Sequence, residues 1–453
     1  MLHFCGFYVI YNVLHVTYYT GANMKLKSYL LILMLLLPVL LYSQEKVKSI
    51  NITEAVESAV KTNISVQLEE IQLKQSERNY KHSWNNILPS VSGKASVNSN
   101  GGLTSSSMNS NSFDTGVSAS LNLNLGIKNK IDALKLSYEN GKTSYKNAIY
   151  ELEYEVTSAF YSLLVLENQV KLNEEYVQSY KTQYEQTKSK KEKGLVSELD
   201  LLSAQVNYET AKINLRDAEK SYKNNLNEFL SNIGITVDEG EKVELSGTLD
   251  DCFTLIESVD TNQNIDELVE NNSSVESLKT SLQQTELNRS QMINSSFFPS
   301  LSLSANVNPY SYSWNKETSG TGNNTWSVSA GLSFSLDNYL PGSAARDNIS
   351  DLDDTIESLK LQIKDTKSKL KIQISEMIND IELGKDSLEN CRLSVELAKK
   401  SWQMAELAFK NGTKDLLSLQ NIQSSYSNAQ AQYMNQQLSL INTVLSFKKL
   451  ISE

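Results

Sequence analysis

The stretch Gly194-Leu-Val-Ser-Glu-Leu-Asp200-Leu-Leu-Ser-Ala204-Gln-Val-Asn-Tyr208 returns further along the same chain. A shift of 218 residues (194 to 412) places Gly194 on Gly412, Leu201 on Leu419, Tyr208 on Tyr426, Ala211 on Ala429 and Phe229 on Phe447, without a gap. Self-similarity at one shift marks an internal duplication. Outward from it the duplication persists. Pro89-Ser90 recurs as Pro299-Ser300, and Ile52, Glu54 and Val56 recur as Ile265, Glu267 and Val269. One unit of helix, strand, loop, strand, long helix, turn and return helix is therefore expected twice. It occupies residues 44–232 with a tip near Gly194, and residues 264–453 with a tip near Gly412. Residues 233–263, with Gly234, Gly240 and Gly247 among acidic residues, read as a connector between the copies.

Two hydrophobic periods fill each unit. A three-four spacing runs Ile149, Leu152, Val156, Ala159, Leu163, Leu166, Val170, Asn173, Val177, Tyr180, Tyr184, Thr187, which is a coiled-coil seam. The return seam, Leu201, Ala204, Tyr208, Ala211, Leu215, Ala218, Tyr222, Asn225, Phe229, alternates large residues with alanine, which lets helices approach closely. A helix from Ile127 to about Lys190 would rise on the order of 95 Å, longer than a compact domain requires.

The second period is two. Val117, Ala119, Leu121, Leu123 and Leu125 alternate with serine and asparagine, as do Trp326, Val328, Ala330, Leu332, Phe334 and Leu336 with serine and glycine. Shorter versions lie at Val91–Val97 and Leu301–Val307. Strands are expected over 89–98, 113–125, 299–308 and 325–337, each about the length of a tilted membrane-crossing strand. Aromatic residues near their ends, Trp84, Phe113, Phe297, Phe298, Tyr310, Tyr312, Trp314, Trp326 and Tyr339, would suit the two interfaces of a bilayer. An ordinary antiparallel sheet packed on helices shows the same alternation, so the strands alone leave both readings open. The links between paired strands are rich in Ser, Asn and Gly and read as exposed loops.

Composition excludes several functions. The net charge is -11, with no basic run in the body of the chain, so a nucleic-acid partner is not expected. Met24-Lys-Leu-Lys-Ser followed by the apolar stretch to Leu41 and then Tyr42-Ser43-Gln44 reads as a cleaved secretory signal within a leader of residues 1–43. No cysteine stands at the expected cut, which argues against a lipid-anchored N-terminus. Beyond the leader Cys252 and Cys391 are far apart in sequence, and His82 is the one histidine. Metal clusters and Ser-His or Cys-His catalytic groupings lack raw material. No enzyme and no cofactor are expected.

Four strands cannot close a barrel, and hydrocarbon does not tolerate an open sheet edge. Three chains supply twelve strands. The quoted stretch closely resembles the helix-turn-helix tip of the TolC family of outer-membrane efflux channels, and Asn411-Gly412-Thr413-Lys414 with Tyr426-Ser-Asn-Ala429-Gln430 resembles that family's second tip. The resemblance covers essentially everything after residue 50. It implies an α+β membrane protein with long antiparallel coiled-coil hairpins and four transmembrane strands per protomer, closing as a trimeric twelve-stranded barrel above an α-helical tunnel.

The implied partners are two further copies, a periplasmic adaptor, an inner-membrane pump or ABC transporter, and outer-membrane lipid. The implied site is the periplasmic tip, with candidates Gly194, Asp200, Ser203, Gly412, Lys414, Asp415, Ser418 and Asn421. Ser418 and Asn421 stand where family members carry gate carboxylates, so Asp415 is the candidate for a substitute acidic ring. The alternative reading is an exported periplasmic coiled-coil adaptor or scaffold.

Overall fold

The computed structural model describes residues 47–101, 110–236, 242–249, 256–257, 264–315 and 321–452. The expected leader, Cys252, and parts of the connector and of both strand-linking loops lie outside the described residues. In chain order the elements are β1 (Val47–Ile50), α1 (Ile52–Thr62), α2 (Ile64–Lys81), β2 (Ser90–Asn100), β3 (Ser110–Leu123), α3 (Gly126–Glu192), α4 (Glu198–Asn232) and β4 (Lys242–Leu245). They continue with α5 (Ile265–Glu270), α6 (Ser273–Ser296), β5 (Ser300–Asn315), β6 (Thr321–Ser333), α7 (Ala344–Lys410) and α8 (Leu416–Ser452).

The chain divides into two units. In the smaller one, β1 pairs in parallel with β4, Val47 opposite Lys242 and Ile50 opposite Leu245. The larger unit holds the rest, and in it every element of the first copy has its counterpart in the second. Asn63 caps α2 and Asn272 caps α6, each with its side-chain oxygen accepting a backbone amide, which satisfies a donor the helix leaves free.

Helices α3 and α7 both run 67 residues, about 100 Å of rise each. No proline falls inside them: beyond the leader, prolines occur at 89, 299, 309 and 341, at strand starts, within β5 and just before α7. Each long helix folds back on its return helix, α3 on α4 and α7 on α8, while α3 also packs on α8. Towards the tips the lateral order is therefore α4, α3, α8, α7. Towards the strands it is α2, α3, α6, α7.

Most seam positions are buried or half-buried, Asn225 being exposed. Leu152, Val156, Leu163, Ala204, Ala211, Phe229, Leu419, Tyr426, Leu440 and Phe447 are all buried. Stacked aromatic pairs recur at the duplication shift: Tyr184 on Tyr208 with centroids 6.2 Å apart, and Trp402 on Tyr426 at 5.4 Å.

The sheet has the order β2-β3-β5-β6, antiparallel throughout, so β3 and β5 join the two copies and β2 and β6 stand at its edges. Register aligns like with like. Val91, Ala119, Ala305 and Val328 form one cross-strand row, and Leu123, Leu301 and Leu332 another. On the opposite face Ser90, Ser120, Ser304 and Ser329 form a row, with hydroxyls 2.8 Å apart between Ser90 and Ser120 and 2.6 Å apart between Ser304 and Ser329. One face is thus apolar and the other a ladder of hydroxyls.

The strand ends differ from the sequence expectation. Strand β5 runs on past 308 to Asn315. The apolar residues of β5 are odd-numbered up to Val307, and its aromatic residues are even-numbered from Tyr310 onward, a phase break that reads as the end of a strand. The ladder shows a register shift there: Val117 pairs with Val307, but Thr115 pairs with Tyr310. The extra residue makes a bulge around Pro309, which has no amide to donate. After the bulge Tyr310, Tyr312 and Trp314 share the apolar face. Gly116 lies opposite, where a Cβ would come within 2.8 Å of Asn308 Oδ1.

Strand β6 covers Thr321–Ser333 rather than 325–337, and β3 ends at Leu123. Phe334 and Leu336 keep the alternation beyond the last pairing of β6, Ser300 with Ser333. Asp337–Tyr339 is instead a short 3-10 turn leading to α7.

Candidate gate at the hairpin tips

Each tip is a left-handed glycine turn followed by a capped helix. Gly194 has φ 74° and Gly412 φ 77°, a conformation glycine adopts without a Cβ penalty. At the first tip the amides of Gly194 and Leu195 return to the carbonyls of Lys191 and Lys190; at the second those of Gly412 and Thr413 return to Phe409 and Ala408.

The return helices start differently. Ser197 and Asp200 form a reciprocal capping box on α4, with Asp200 N–H donating to Ser197 Oγ at 3.1 Å and Ser197 N–H donating to Asp200 Oδ2 at 3.0 Å. On α8 the single carboxylate of Asp415 accepts the Ser418 amide at 2.6 Å. That amide, with the Ser418 side chain, holds the Asp415 carboxyl below the usual aspartate range.

The two tips share an open cleft of about 760 Å³. Its lining includes Gly194, Asp200, Gly412, Lys414 and Asp415, along with Lys190 and Phe409. Of the expected tip residues, Ser203, Ser418 and Asn421 do not line it. Behind the cleft Ala204, Ala405, Phe409, Leu416 and Leu419 make a buried cluster.

One contact across the tips was not foreseen from sequence. Lys190 Nζ donates to the Phe409 carbonyl at 2.7 Å and sits 3.9 Å from the centre of the Phe409 ring. A cation there meets both a π face and the negative end of α7. In sequence Lys190 sits in the short segment Lys188-Ser-Lys190-Lys191, which reads as a solvated face, and at the duplication shift Phe409 falls on Lys191, so no sequence signal singles out Lys190.

Above the tips, α3 and α8 meet through polar side chains. Gln183 Nε2 donates to Gln423 Oε1 at 2.6 Å, both residues buried. Tyr176 Oη donates to Gln430 Oε1 at 2.7 Å, and burial pushes that phenol up to about 12. Ser158 bonds Asn442 at 2.8 Å.

The expected interface aromatics fall into two groups. Tyr310, Tyr312 and Trp314 stack in series, with Phe113 tilted against Tyr310, at the end of the sheet away from the helices. Trp84, in a 3-10 turn, and Phe297, Phe298 and Tyr339 lie at the helix end, Phe297 and Tyr339 edge to face at 5.4 Å. Trp326 is level with Val307 on the apolar face and 77% exposed. From Phe298 to Tyr310 the chain advances twelve residues, about 40 Å along a strand, and about 28 Å across a bilayer at a ~45° tilt.

The same architecture occurs in solved channels. The Campylobacter jejuni CmeC outer membrane channel matches over 88% of this chain and 85% of its own, at 16% identity and TM-score 0.71. The open-state Neisseria gonorrhoeae MtrE outer membrane channel matches over 88% of each chain at 16% identity and TM-score 0.71. The Vibrio cholerae outer membrane protein VceC covers 88% of this chain and 95% of its own, at 11% identity and TM-score 0.68. At these identities the likeness is one of fold. No curated protein sequence matches the chain.

The family model described as outer membrane efflux protein matches residues 55–234 and 264–453, the two copies of the duplication almost in full. The chain therefore belongs to the outer membrane efflux protein family, a family of channels and not of enzymes, and is a tunnel-forming subunit of the outer membrane whose helices extend into the periplasm.

Proposed function

We propose that three copies of this chain form a passive export duct, the outer-membrane part of a tripartite efflux or type I secretion assembly. The observation that carries this reading is the sheet: one face apolar, the other hydroxyl-lined, and β2 and β6 left at the edges. An unpaired edge in hydrocarbon costs several kcal/mol per group, and pairing β6 of one copy with β2 of the next removes it. Three copies give a closed barrel with its serine face inward. The helices then continue as a tunnel whose tips meet a periplasmic adaptor, and an inner-membrane pump supplies the energy. Family membership sets aside the scaffold alternative.

The cleft between Gly194 and Gly412 is the proposed gate, with Asp200, Lys414 and Asp415 as its charged residues; Ser203, Ser418 and Asn421 stand just outside it. The test is fractionation followed by planar-bilayer recording. A detergent-extracted outer-membrane trimer that conducts is expected, with Asp415→Asn weakening divalent-cation block; recovery as a soluble periplasmic monomer would sink the reading.

A further inference from the structure

The four strands carry almost no charge. Among their described residues Lys94 and Asp114 are the only ones of the Lys, Arg, Asp and Glu types. Both belong to the hydroxyl face. Asp114 lies on β3 in phase with Ser112, Ser118 and Ser120, and Lys94 lies on β2 in phase with Ser90 and Ser92. Lys94 is opposite Gly116, and Asp114 is opposite Ser96 and Ser311, so the two charges are offset by two residues along β3, about 7 Å.

Asp114 is also positioned rigidly. Its Oδ1 accepts from Ser311 Oγ at 2.5 Å, and its Oδ2 accepts from Ser112 Oγ at 2.9 Å and Asn98 Nδ2 at 3.2 Å. These donors come from β5, β3 and β2. All are neutral, so they fix the carboxylate without cancelling its charge. A carboxylate has about four acceptor sites, and three are used.

We propose that Asp114 sets the charge selectivity of the outer-membrane part of the duct, with Lys94 as the counter-charge that limits it. The inference rests on the trimeric barrel reading. Threefold symmetry then turns Asp114 into an acidic ring near the loop end of the barrel, level with Phe113, and Lys94 into a basic ring one step closer to the helices. Between them and the helices the lumen wall is serine and asparagine, with Gly331 opposite Ser302. Fixed charges against a low-dielectric wall concentrate counter-ions, and here two residue types supply all of that field in the strands. Lys316 and Glu317 in the adjoining loop lie outside the described residues.

The test is the potassium-to-chloride permeability ratio of purified full-length trimers in planar bilayers, taken from the reversal potential across a salt gradient. In ~10 mM salt, where the Debye length is about 30 Å, Asp114→Asn should lower the ratio about twofold or more. Lys94→Gln should raise it by a similar factor, and the double variant should return towards wild type. In ~1 M salt, where the Debye length is about 3 Å, the variants should converge. Differences between variants cancel the contribution of the helical tunnel.

Because Asp114 ties three strands, its variant could fail to assemble. Lys94→Gln then decides alone, and an unchanged ratio in conducting Lys94→Gln trimers overturns the proposal. Conducting Asp114→Asn trimers with an unchanged ratio in dilute salt overturn it as well. Wild-type trimers that do not conduct remove the duct reading, and this inference with it.

Discussion

The two hairpin tips share a backbone and differ in chemistry. At positions 191 and 198 the first tip holds Lys191 and Glu198, an ion pair with side chains 37% and 61% exposed. The same two positions of the second copy hold Phe409 and Leu416, which are 3% and 7% exposed. Both tips turn on a left-handed glycine, so the turn does not require either pair. An exposed ion pair contributes little, about 0–1 kcal/mol, whereas burying a Phe or Leu side chain contributes about 1.5–3 kcal/mol. The second tip is thus anchored in a core to which the first hairpin contributes Ala204 and the half-buried Tyr184. The first tip reaches back by a single lysine, Lys190, laid on the Phe409 ring. Pulling the hairpins apart must uncover Phe409 and break that contact together.

This asymmetry can be broken or sharpened by substitution, read out by hydrogen exchange of tip amides and by thermal unfolding of the purified protein. The largest effect should come from Phe409→Ala. It removes the centre of the cluster and the partner of Lys190 at a cost of about 3–5 kcal/mol, and exchange should accelerate at both tips. Protection left intact at the first tip would show that the tips are not coupled through this ring.

A middle effect is expected from Asp415→Ala, which removes the cap of α8 and should speed exchange of the Ser418 amide about fivefold, while Asp415→Asn, an equally good cap, should not. The Asp415 carboxyl titrates below its ordinary value in the folded chain. The charge-dependent part of its contribution is therefore complete above about pH 4 and fades as acid protonates it, so the gap between wild type and the alanine variant should narrow in acid. An acid-independent difference would mean that the carboxylate is not the group acting there.

The smallest effect should be that of Glu198→Gln at the first tip, at most about 0.5 kcal/mol and screened by salt. A loss as large as that of Phe409→Ala would overturn the contrast between the tips.

Much of this was legible in the sequence, because long elements repeat their signal many times. Leu152, Val156, Leu163 and Phe229 each carry little information, but a seam sustained over ten positions, and then repeated 218 residues later, fixes both period and partner. The strands were legible for the same reason, in rows such as Val117, Ala119 and Leu121.

Short or interrupted signals were not. Strands β1 and β4 are four residues each and lie nearly two hundred residues apart, so neither shows a period. Strand β5 was cut at Asn308, because Pro309 and the change of phase after it mimic a strand end. At the hairpin tips the glycine turns and the caps are local and readable, while Lys190 on Phe409 joins residues whose nearness only the packed hairpins create.

The bulge at Pro309 also fixes how the duct can change over evolutionary time. A strand that crosses a membrane has a reading phase of two: losing or gaining one residue would send every later side chain to the other surface, which in the barrel proposed above turns aromatic rings into the lumen and serines towards lipid. The bulge accommodates one unpaired residue, so beyond it β5 is out of step by one with its own first half. Shortening or lengthening this wall elsewhere must go by pairs of residues, and Pro309 marks the place where an odd count fits.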